Sequence, residues 1–120
     1  MGELRRLRVT EALARRARTG DDAMVRAAAR ALGRAGNAWA WKTLADRSEE
    51  QKIRETAARA LVDAFVAHDG EVRQAASNAL MVVDAPSTPG LIATARASAE
   101  PATQAALDAL VARFAINPTR

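Results

Sequence analysis

The sequence predicts an all-α fold, on three observations. Alanine supplies 31 of the 120 residues, more than the 28 Val, Ile, Leu, Met, Phe and Trp taken together. It is the strongest helix former, whereas the β-branched and aromatic residues that favour strands are scarce. Apolar residues return every three or four positions almost throughout, which is the helical period. Gly, Pro, Asn and Asp then cut the chain into pieces of helical length. With 49% apolar and 27% charged residues, the 120-residue chain suits one domain, 1–120, with a real core.

The elements follow in order. Residues 1–8 stand apart, because Leu4 and Leu7 fall on a different side of a helical wheel from Val9 and Leu13. This stretch reads as a separate short helix or an N-terminal arm. Thr10 caps a helix that ends before Gly20, and Asp21 or Asp22 caps the next, with an apolar edge of Met24, Ala28, Leu32 and Ala35. Gly36-Asn37 ends that helix, and Asn37 caps one carrying Trp39, Trp41 and Leu44. Ser48 with Gln51 reads as a capping box before a long helix over 49–67. Asp69-Gly70 breaks it, and another helix runs to about Val83. The loop DAPSTPG, 84–90, ends with Thr88 as N-cap and Pro89 as the first residue of a helix over Leu91 and Ile92. Glu100-Pro101 starts the last helix, which ends near Ile116, and the tail 117–120 frays. The total is about six to eight helices.

Four stretches are alike: MVRAAARALG from Met24, IRETAARALV from Ile53, VRQAASNALM from Val72 and ATQAALDALV from Ala102. Each puts alanine four residues after its start and Ala-Leu at seven and eight, on one helical face. Small side chains let helix axes approach to about 8 Å, and a helix with alanine on both flanks can pack between two neighbours. The pattern V-R-x-x-A-A-x-A-L-G follows a Gly-Asn pair and a helix with an apolar-x-x-L spacing. It resembles the second helix of HEAT-like repeats, in the short variety of phycobilisome-lyase-type proteins. The stretch from Gly36-Asn37 to Leu61 is the best single unit, with Trp41 and Leu44 in the first helix and Ile53, Ala57, Ala58, Ala60 and Leu61 in the second. The resemblance covers about residues 21–116. It implies helical hairpins stacked as a short α-solenoid or an irregular superhelical bundle. It also implies that Arg54 and Arg73 are structural and bond acids such as Asp46, Asp69 or Asp84. One spacing departs from the family. The second and third copies start only 19 residues apart, too few for two helices and two turns, so they are expected to be consecutive helices.

Several chemistries are excluded or disfavoured. No cysteine is present, which removes disulfides, thiolate metal sites and cysteine nucleophiles and suits a cytoplasmic location. No apolar run follows the charged start MGELRRLRV, so no secretory signal is expected, and none reaches about 20 residues, so no membrane span is expected either. Glycine-rich phosphate loops, Gly-x-Ser-x-Gly and His-Glu-x-x-His do not occur. His68, the single histidine, has only Asp69 and Glu71 near in sequence, which is no metal site. The expectation is a protein that is not an enzyme and takes no cofactor.

The net charge of +4 is lopsided. Residues 1–36 hold nine arginines against Glu3, Glu11, Asp21 and Asp22, or +5, while 37–120 sum to −1. Arg26, Arg30 and Arg34 recur every fourth residue as one stripe opposite Leu32, with Arg15 and Arg16 upstream. Such a stripe is either a surface for phosphates or carboxylates or a plain solvent face. Trp39 and Trp41 lie about 200° apart on a helix, so both cannot enter one core. Trp41 takes the buried place. Trp39 is either an exposed interface anchor or lies over the Gly33/Gly36 edge. Together these favour a macromolecule-binding scaffold whose partner is another protein, with Arg26, Arg30, Arg34, Trp39, Arg15 and Arg16 as candidate contacts. The alternative is a nucleic-acid-binding protein using its basic first third. Self-association through uncovered terminal hairpins is a further expectation.

Overall fold

Seven helices make up the computed structural model, which describes residues 2–116 and the side chains from Arg6 onward. They are α1 (Gly2–Thr19), α2 (Asp22–Ala35), α3 (Ala38–Lys42), α4 (Glu50–Ala67), α5 (Gly70–Val83), α6 (Thr88–Ala97) and α7 (Pro101–Ala115). Six have ten residues or more, and α3 is little longer than one turn. No strand occurs among the described residues. The expected frayed tail, 117–120, lies outside them.

The chain's start corrects the reading of residues 1–8 as a separate piece. Gly2–Thr19 is one helix, and Thr10 sits inside it rather than at a cap. The Thr10 hydroxyl donates to the Arg6 carbonyl one turn back, at 2.9 Å, so a buried threonine is satisfied without breaking the helix. Two caps form as the sequence expects. Asp21 accepts from the Met24 N–H at 2.8 Å, and Asn37 from the Ala40 N–H at 3.1 Å. The Ser48 capping box does not form. Glu49 is the N-cap of α4, and the Ser48 N–H is drawn to the Asp46 carboxylate instead. Similarly, Ser87 rather than Thr88 precedes α6.

The long α4 is the axis of the core. It buries Ile53, Ala57, Ala58, Ala60, Leu61, Val62, Ala64 and Phe65 and packs against α1, α2, α5 and α6. As the 19-residue spacing requires, α4 and α5 are consecutive, joined across His68 and Asp69. The leucines of all four Ala-Leu steps, Leu32, Leu61, Leu80 and Leu110, are buried. Small residues set the contacts between rods. A Cβ on Gly33 of α2 would stand 3.2 Å from that of Ala79 on α5, and one on Gly36 would stand 3.0 Å from Val83. The apolar edge of α2 differs by one position from expectation: Met24 is about half exposed and Val25 is fully buried in its place. A radius of gyration of 13.6 Å matches the roughly 13–14 Å of a compact globule of this length.

Arg54 and Arg73 are bound up with the framework through backbone carbonyls and, for Arg54, through the Glu50 carboxylate as well. The Arg54 guanidinium donates to the Val83 and Asp84 carbonyls at 2.8 and 2.9 Å and to Glu50 at 2.7 Å. Arg73 donates to the Phe65 carbonyl at 2.9 Å and lies 5.0 Å from the Phe65 ring centre. The last carbonyls of a helix have no partner within it and carry its negative dipole end. An arginine from the neighbouring helix meets both needs.

Candidate functional site

The corner where α2 ends and α3 begins carries the strongest site. Gly36 lets the chain pass close under Val83 and Ala57, and Asn37 restarts it as α3. As the fourth residue of so short a helix, Trp41 turns inward. Its indole N–H donates to the Ala35 carbonyl at 2.9 Å, which holds α3 on the end of α2. Trp41 is 4% exposed. A groove of about 520 Å³ opens beside it, lined by Val9 and Thr10 of α1, Ala35 of α2, Ala40 and Trp41 of α3, then Leu44 and Ile53. Arg6 and Arg34 complete the lining, and the Arg6 guanidinium stands 5.9 Å from the Trp41 ring centre. Among the described residues, no carboxylate lines the groove.

Large apolar side chains lie exposed at this corner. Val9 is 52% exposed and Trp39 is 61% exposed, while Leu44, expected in a first-helix core, lies past the end of α3 and is 36% exposed. The Lys42 ammonium sits 5.2 Å from the Trp39 ring centre. Trp39 does not cover the Gly33/Gly36 edge, because Ala79 and Val83 of α5 fill that space.

The arginine stripe divides. Arg26 is half-buried and bonded to Glu71 of α5 at 2.9 Å, so it clips two helices together. Arg30 is exposed, and Arg34 is exposed at the groove. Arg15 and Arg16 are exposed on α1. Among the described residues, Arg15, Arg16, Arg30 and Arg34 make no ion pair, whereas the neighbouring Arg18 grips Asp63 of α4 at 2.8 Å. Sequence spacing singled out Arg34 but missed Val9 and Ile53 as groove residues, and Trp39 is exposed without lining the groove.

The remaining charged groups join elements. Arg47, then Arg54, hold the Glu50 carboxyl below its ordinary range. Arg96 does the same to Asp108 across the α6–α7 hairpin. The His68 Nδ1 lies 3.6 Å from the Asp22 carboxylate, between the end of α4 and the start of α2. Among the described residues no three His, Cys, Asp or Glu side chains gather as a metal site, and no helix is long and apolar enough to cross a membrane. Compared with models of protein families, with curated proteins and with solved structures, the chain gives no significant match.

Proposed function

We propose that the chain is a non-enzymatic binding scaffold that docks a segment of another protein at the α3 corner. One observation carries this reading: an apolar groove of about 520 Å³ lined by Trp41, Val9 and Leu44, with Trp39 exposed on the same short helix as Trp41. Interface hot spots are enriched in Trp and Arg, and a concave apolar site rimmed by a few polar groups is the usual form of a binding pocket. Among the described residues the groove offers no carboxylate, histidine or unbonded hydroxyl to a reaction, since the Thr10 hydroxyl is spent on its own helix. The HEAT-like reading belongs to the same proposal. It is supported by α2, α4 and α5, which carry the Ala-Leu step and pack on one another.

A photo-crosslinking residue introduced at Leu44 tests the docking face, with one at Ala105 of α7 as the comparison; both positions are exposed. The expected result is a set of protein adducts formed from Leu44 and abolished by Trp39→Ala. Equal adducts from both positions, or none from Leu44, would overturn the reading. Arg15, Arg16, Arg30 and Arg34, exposed and without an ion pair among the described residues, favour a second reading, nucleic-acid binding. Its signature is an affinity that falls steeply with salt as phosphate counterions are exchanged.

A further inference from the structure

We infer that the groove selects a partner segment in which a large apolar side chain is flanked, within about one helical turn, by aspartate or glutamate. This rests on the reading of the groove as a docking site and adds the chemistry of what docks. The charge of the lining carries it. Arg6 and Arg34 come from different helices and converge on one apolar hollow that no carboxylate lines among the described residues. The excess is not local chance, because the first 36 residues sum to +5 with every acid counted. Inside an apolar rim, a guanidinium–carboxylate contact is less screened than on open surface, and Arg offers it as a planar fork. Such a rim accepts an acidic segment and repels a basic one, so it discriminates more than it adds affinity.

Size limits the occupant further. About 520 Å³ lies within the range of pockets that bury a small ligand or a few side chains, well short of a whole helix. A partner therefore lays one or two apolar anchors on Val9 and Leu44, above the covered Trp41 and Ile53, and keeps its backbone outside. A nucleic-acid strand fits less well. Its affinity comes from many phosphates along a basic track and bases stacked on open rings, whereas the ring at the groove floor, Trp41, is almost wholly covered.

A random-peptide library displayed on phage tests this, selected on the full chain with counter-selection on the Leu44→Asp/Arg34→Glu variant. Both changes lie at exposed positions, and circular dichroism checks that the variant folds. The expected winners pair leucine or an aromatic residue with Asp or Glu. They should lose affinity about tenfold or more on Arg34→Glu alone, and similarly when their acids become Gln. Winners that are apolar but uncharged, or that bind equally as Gln peptides, overturn the acidic requirement and leave the docking groove standing. No enrichment over the variant overturns the groove reading itself. A single-stranded oligonucleotide that displaces the winners at matching concentration and depends on the same arginine overturns the assignment to a protein segment.

Discussion

At position 54 an arginine fork meets the Val83 and Asp84 carbonyls while its remaining amine bonds Glu50. The side chain is 15% exposed, so these bonds form where water competes little. Arg54→Met keeps the apolar stem and removes every donor. It strands two carbonyls at the end of α5 and should cost about 1–3 kcal/mol, read as a lower midpoint in urea. Lysine at the same position should restore only part of the loss, because one ammonium cannot reach both carbonyls and the Glu50 carboxylate as the guanidinium's separate nitrogens do. A midpoint unchanged by Arg54→Met would show that the bonds stabilise nothing. That Arg54 serves the framework was implied by the HEAT-like resemblance, but its carbonyl partners were not. A sequence displays its carboxylates openly, whereas the carbonyls left without donors depend on where each helix stops. The same limit applies to Arg26: its spacing with Arg30 and Arg34 is visible, but its bond to Glu71 depends on how α2 lies against α5.

Among the elements, the helix-forming segments were legible where the side chains have a single use. Asp21 and Asn37 have nothing nearer to bond than their own helix starts, and both cap. Thr10 and Ser48 have competing partners, and both expected caps fail. Thr10 bonds back to Arg6, so the first helix runs on through it, while the Ser48 N–H is taken by Asp46. The close fit of α2 on α5 was foreshadowed by its small residues, although the Ala-Leu step alone does not say which rods touch. Gly33→Val tests that fit. Its Cβ would press on Ala79, whose Cα is only 3.4 Å away, so backbone as well as methyl must yield. The crowding should outweigh the helix-propensity gain over glycine and destabilise the fold by about 1–3 kcal/mol. A more stable Gly33→Val protein would mean that the two helices have room to spare.

At the scale of the molecule, composition and period identify the fold class, while the groove emerges only once the chain is folded. Its walls run from Arg6 to Ile53 and belong to four helices and a loop, so no local window contains them. Trp39 and Arg34 could be singled out beforehand because each is unusual in its own segment. Trp41 looked like core, and it is, but core that also floors an opening. The docking role therefore depends on the exposed face around Trp41 acting as one surface. Two-dimensional NMR of the labelled chain, titrated with an acidic–apolar peptide selected on it, measures this most directly. The expected result is shifts concentrated on the two indole N–H groups, Val9, Arg34, Ala40 and Leu44, with α6 and α7 unmoved. Shifts centred on α6 and α7, or spread along the outer arginines Arg15, Arg16 and Arg30 with the indoles silent, would contradict it.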